Sequence, residues 1–161
     1  MMLGMSLQTF TLFHVVISLA GIGSGLVVVL GMLNAKPLAK WTALFLVTTV
    51  ATSVTGFLFP FEGFKPSYVF GILSLIALAL AIVARYGRHL AGSWRGIYVV
   101  TSIIALYFNV FVAIVQSFLK VPALHAMAPA GKEPPFLIAQ LAAMAIFVVL
   151  GILSVKRFWP N

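Results

Sequence analysis

Five long apolar runs dominate the chain, each bounded by charge, glycine or proline. They extend over about residues 9–33, 41–59, 67–85, 96–119 and 136–155. A bilayer-spanning helix needs roughly 20 apolar residues, and every run is near that length. Pro60 closes the second run and Pro134-Pro135 opens the fifth, as expected of residues that fit a helix's first turn but not its interior. The pattern predicts an all-α, polytopic membrane helical bundle of five transmembrane helices, forming a single domain over 1–161. Four spans remain if the first or last run lies shallow. The first run is too long for a signal-peptide core and has no Lys or Arg before residue 36, so it reads as a retained span.

Composition agrees with this reading. Of the 161 residues, 63% are hydrophobic and only 7% charged, whereas a soluble domain carries about 25% charged residues. There is no Cys and no Asp, and Glu62 and Glu133 are the only carboxylates. Thiolate chemistry, disulfides and aspartate relays are therefore excluded, and no nucleotide-cradling glycine motif occurs. No set of residues reads as catalytic. The net charge of +8 would suggest nucleic acid in a soluble protein. Here it reads as topology signal, and no nucleic-acid partner is expected.

Placing the charges by loop predicts an orientation. Lys36, Lys40, Arg85, Arg88, Arg95, Lys156 and Arg157 fall on one side with no acid among them. Lys65, Lys120, Lys132, Glu62 and Glu133 fall on the other. The positive-inside rule puts the first set in the cytoplasm, with the N-terminus out and the C-terminus in. Trp41, Trp94 and Trp159 share that cytoplasmic interface, where amphipathic rings are favoured. A repeated Gly-Ile-Leu-Ser at 71–74 and 151–154 falls at different depths in this topology and reads as coincidence.

Polar side chains inside the spans carry the candidate chemistry, because unpaired polar groups in hydrocarbon are costly. His14 lies roughly 9 Å below the outer end of the first helix, counting 1.5 Å per residue. Ser18, Gly21 and Gly25 follow on the same face. Gly21 and Gly25 form a GxxxG that lets another helix approach closely, which makes them packing residues. The face reads either as packing with one hydrogen-bonded histidine or as a cavity lining. In the fourth span, Ser102, Asn109 and Gln116 are seven apart and form one stripe, either interhelical glue or pocket lining. The second span carries Thr48, Thr49, Thr52, Ser53 and Thr55, whose hydroxyls by default bond back to their own helix. The fifth span offers Gln140. His14, Asn109, Gln116, Gln140, Thr52 and Ser53 are the candidate lining of a polar pocket in the outer half. Glu62, His125 and Glu133 are its candidate mouth.

The 120–135 loop holds four prolines, Leu124 and Met127, and is expected to fold onto the bundle as a lid or re-entrant cap. No metal site is expected, since His14, His125, Glu62 and Glu133 come from separate segments without a ligand motif. No cofactor is expected either. Haem b is the alternative, and it requires the His125 loop to dip toward His14.

The run Val115-Gln-Ser-Phe-Leu-Lys-Val-Pro-Ala-Leu-His-Ala-Met-Ala-Pro, with Glu133-Pro-Pro-Phe136 and Gln140, resembles a stretch found in small bacterial multi-span membrane proteins of unassigned function. Thr52-Ser-Val-Thr-Gly-Phe-Leu-Phe-Pro60 is similar to another part of that group. The resemblance covers about a third of the chain. It implies a bacterial inner-membrane location and no catalytic residue. The expected function is binding or transport of a small molecule or ion, with the lipid bilayer as the constant partner and a homo-oligomer as a further possibility. The rivals are an accessory subunit of a larger membrane complex and a redox subunit binding haem or quinone, with Tyr107, Phe108 and Phe111 available to stack a ring.

Overall fold

The computed structural model describes residues 2–159, and these form helices and no named strand. Helix α1 spans Leu7–Leu33, α2 Ala39–Gly56, α3 Pro66–Ile82, α4 Trp94–Lys120, α5 Pro122–Met127 and α6 Pro134–Arg157. A wide π-helical turn, Val83–Gly87, continues α3. The starts follow local chemistry. Ser6 caps α1 by accepting from the Thr9 amide at 3.2 Å. Proline opens α3, α5 and α6, where a missing N–H is harmless.

Each of the five expected runs is a helix, and the boundaries agree to within about three residues of the reading from pattern. Among the described residues, four helical segments are long and apolar enough to cross a membrane: Leu7–Leu33, Pro66–Gly87, Trp94–Lys120 and Pro134–Arg157. Helix α2 is not among them. It has 18 residues, and its threonines and Ser53 dilute the apolar content.

Contacts between helix ends fix an up-and-down arrangement. At one end, Arg85 Nη2 donates to the Pro37 carbonyl at 3.0 Å, tying the end of α3 to the α1–α2 connection. Arg95 Nη1 donates to the Val155 carbonyl at 3.0 Å and also to that of Phe158, tying the start of α4 to the end of α6. At the opposite end, Phe10 meets Phe59, Phe57 stacks on Tyr68, and Phe118 meets Phe136. All seven basic residues noted above lie in the segments that meet at the first end.

Carbonyls and aromatic faces take the place of carboxylates at this basic end. Arg85 lies 5.3 Å from the Tyr98 ring centre, Arg88 5.2 Å from Trp94 and Arg95 3.6 Å from Trp159. A guanidinium over such a ring is attracted by the ring quadrupole, more strongly when desolvated.

Helix α4 is central and touches α1, α2, α3, α5 and α6. The apolar core gathers around its first half: Val28, Met32, Phe45, Leu78, Tyr98, Val99, Leu106 and Phe158 are all buried. The basic-end half of the bundle is thus the densely apolar half. The proline-rich end holds the histidine face and the loops.

Candidate functional site

Helices α1, α2 and α4 meet along the face of α1 that carries His14, Ser18, Gly21 and Gly25. His14 Nδ1 and Thr55 Oγ1 are 2.7 Å apart. Thr55 Oγ1 already donates to the Ala51 carbonyl at 2.7 Å, so it has a lone pair free to accept from the imidazole. One turn deeper, Ser18 Oγ donates to Asn109 Oδ1 at 2.8 Å. Asn109 Nδ2 returns to the Ser18 carbonyl at 3.4 Å, a longer and weaker contact.

Below this pair the absent side chain of Gly21 sets the geometry. A Cβ there would lie 3.1 Å from Thr49 Oγ1, 3.2 Å from Asn109 Nδ2 and 3.3 Å from Thr48 Oγ1. Three polar atoms therefore converge on the glycine's bare backbone. Thr48 Oγ1 is engaged with the Leu44 carbonyl, but Thr49 Oγ1 is buried and has no partner. A buried hydroxyl left unpaired is costly, so its neighbourhood is where a ligand or water group gains most by arriving.

Apolar contacts close both ends of this polar file. Above it, the Phe59 ring stands edge-on to His14 at 5.2 Å and to Phe10 at 5.0 Å, and Phe10 is fully buried. Below it, a Cβ on Gly25 would come within 2.6 Å of Leu106 Cδ1 and 2.9 Å of Phe45 Cδ2. Phe45 and Leu106 thus press directly on the α1 backbone.

The other expected lining residues go elsewhere. Thr52 Oγ1 bonds back to the Thr48 carbonyl at 2.8 Å. Ser53 Oγ reaches Ser74 Oγ of α3 at 3.4 Å, on another side of α2. Gln140 Nε2 donates to the Phe111 carbonyl at 3.2 Å across the α4–α6 seam, and its Oε1 is buried without a partner. Gln116 is only half-buried and has no side-chain hydrogen bond among the described residues. His14 and Asn109 are therefore the two expected residues in the file. Thr48, Thr49, Thr55, Phe10 and Phe59 join it although they were not among the expected lining. The hydroxyl run of α2 was the available signal for the threonines.

The expected mouth residues make local contacts. Exposed Glu62 pairs with Lys65 at 3.2 Å. His125 Nδ1 lies 3.2 Å from the Phe118 carbonyl at the end of α4. Glu133 accepts from the Ala130 amide at 2.9 Å and the Lys132 amide at 3.0 Å. Met127 is 54% exposed, whereas Ala128 is buried, so this loop anchors through Ala128 rather than through the methionine. No three of the described His, Asp and Glu side chains gather in a group able to hold a metal ion. The aromatics beside Asn109 pack on one another and on Phe70 and Phe147, with ring centres 4.5–6.2 Å apart.

The backbone amide of Ala130, joined by that of Lys132, holds the Glu133 carboxyl below the ordinary glutamate range. A depressed carboxyl stabilises the turn at every pH above its unfolded value, and the contribution is lost as pH falls through the folded value. The Ala130 amide resonance is thus expected to titrate with a midpoint below that of an unstructured glutamate peptide. A midpoint at or above the peptide's would remove the cap from this account.

No family model, no curated protein and no solved structure matches the chain.

Proposed function

We propose that the chain is a five-span inner-membrane protein, N-terminus out and C-terminus in, that binds a small polar solute in the outer half of α1, α2 and α4. Helix α2 counts as the fifth span in this reading because His14 near the start of α1 meets Thr55 near the end of α2, so the two run antiparallel, and because Thr48, Thr52 and Thr55 bond back to carbonyls of their own helix. The bacterial location rests on the resemblance noted above. The side on which each end lies rests on the positive-inside rule.

The observation that carries the binding reading is the file itself. Two interhelical polar pairs, His14–Thr55 and Ser18–Asn109, stand above an unpartnered Thr49 hydroxyl at Gly21. Phe59 lies above and Phe45 below. The site offers imidazole, amide and hydroxyl groups and no carboxylate. That set suits a small hydrogen-bonding solute and serves a divalent cation badly, because hard cations prefer several charged oxygens.

Thermal melting of the purified protein with acetamide, glycerol, sodium chloride and potassium chloride tests this reading. A saturable rise in Tm with one of them is expected in the wild type and not in Asn109→Leu. The substitution itself is expected to cost about 0.6–2 kcal/mol, the range for a polar contact between membrane helices. Equal shifts in both proteins, or no saturable shift at all, would sink the proposal.

The accessory-subunit reading draws on α6, of which only 17% of the apolar window is buried inside the bundle. Copurification of a stoichiometric larger partner would favour it. The haem reading predicts a Soret band in the purified protein.

A further inference from the structure

Helices α4 and α6 do not close on each other along their whole length. Between them lies an open groove of about 440 Å³, within the roughly 300–1,000 Å³ of small-molecule sites. Its walls are apolar: Ile103 and Tyr107 from α4, and Phe147, Gly151 and Ile152 from α6. The one charged residue on its lining is Lys156, at the basic end. Along α6 the lining runs from Met144 to Lys156, about 18 Å at 1.5 Å per residue. That is close to the depth of one leaflet's hydrocarbon, about 15 Å.

We propose that this groove holds one acyl chain of an anionic phospholipid, with the lipid phosphate on Lys156. Charge complementarity selects the anionic lipid. Lys156 is exposed, and among the described residues the only carboxylate–cation pair is Lys65–Glu62 at the opposite end of the bundle. Arg95, beside the end of α6, is turned away from the groove: its Nη1 donates to the Val155 and Phe158 carbonyls, its guanidinium lies over the Trp159 ring and its Nε is buried without a partner. Lys156 is thereby the groove's free cation. Gly151 makes the channel: without a side chain it leaves the wall open, and a Cβ there would meet only Ile103 Cγ2, at an ordinary 3.5 Å. The inference rests on α4 and α6 lying in a bilayer and is independent of the polar file.

Native mass spectrometry tests the site with added phosphatidylglycerol or phosphatidylcholine of identical acyl chains. The wild type is expected to retain one phosphatidylglycerol under conditions that strip phosphatidylcholine. Lys156→Gln is expected to weaken phosphatidylglycerol retention about fivefold, the usual effect of one basic residue at an anionic surface. Arg157→Gln, which removes a charge next to the groove but not on its lining, is expected to change it much less. Gly151→Leu fills the channel and is expected to abolish retention, while Gly151→Ala, whose methyl fits, retains the lipid and serves as the folded control. Equal retention of both lipids by the wild type would overturn the proposal. So would equal losses from the two charge substitutions, which would mean general surface attraction, or full retention by a folded Gly151→Leu.

Discussion

Replacing Phe45 with alanine is expected to destabilise the bundle by about 3–5 kcal/mol, the range for emptying a buried phenylalanine site. Phe45 is 1% exposed and lies in the core against the Gly25 backbone. Neighbouring residues cannot collapse into the space easily, because Gly25 has no side chain to move and Leu106, 1% exposed, is held by its other core contacts. The loss also removes the apolar floor beneath the Ser18–Asn109 pair. A second consequence is therefore expected: the seam of α1, α2 and α4 should loosen, and a cysteine introduced at Thr49 should react with a small membrane-impermeant thiol reagent faster in the Phe45→Ala background than with Phe45 present. Differential denaturation in mild detergent reads the first effect, and labelling rates read the second. Unchanged stability would mean that the helices pack without this plug.

Gly25→Leu is the opposite perturbation at the same place. Even a methyl group would sit 2.6 Å from Leu106 Cδ1 and 2.9 Å from Phe45 Cδ2, closer than Cβ atoms pack in proteins. A leucine adds three further carbons to a site with no free volume. Overpacking costs typically about 1–3 kcal/mol and occasionally more, paid in off-rotamer side chains and backbone shifts. Here the shift would push α1 away from α2 and α4, parting Ser18 from Asn109. The expected result is a lower Tm together with loss of any solute-dependent stabilisation. Gly23→Leu, at an exposed position where an added Cβ would have nothing within 4 Å, is the matched control and is expected to leave both unchanged. If the two leucines behave alike, the close approach at Gly25 is not what holds these helices together.

The helices were legible because each apolar run is long and sharply bounded. A run of some twenty residues leaves the chain little choice but to satisfy its backbone within a helix. The exception is α2, where Thr48, Thr52 and Thr55 bond to carbonyls of their own helix, so that a helix forms while its apolar character falls short of its neighbours'. The α1 face was legible for the same periodic reason, since offsets of four, seven and eleven return to one side of a helix.

The site itself was only partly legible. Ser18 and Asn109 are 91 positions apart, and nothing in either segment states which face of α4 meets α1. The α4 stripe shows how periodicity runs out. Each seven-residue step falls about 20° short of two full turns, so the drift accumulates along Ser102, Asn109 and Gln116. Ser102 and Asn109 are buried, and Gln116 has turned partly out of the interface. Gln140 and Ser53 were assigned by depth alone, and depth does not distinguish one seam of a bundle from another.

The wide turn at Val83–Gly87 bears on how the chain tolerates change in length. In it the Arg88 amide reaches back five residues to the Val83 carbonyl at 2.8 Å, so the turn holds one residue more than α-helical spacing allows. That extra residue rotates whatever follows by about 100° without disturbing the span before it. The slack sits where Arg85 must find the Pro37 carbonyl and the Tyr98 ring. Any insertion or deletion in α3 above this point would have to be absorbed by its register against α4. Within the turn it is absorbed by unwinding or tightening a single loop of backbone. The boundary between the apolar helix and its arginine anchor is thus the place where a one-residue insertion or deletion is expected to leave the same bundle.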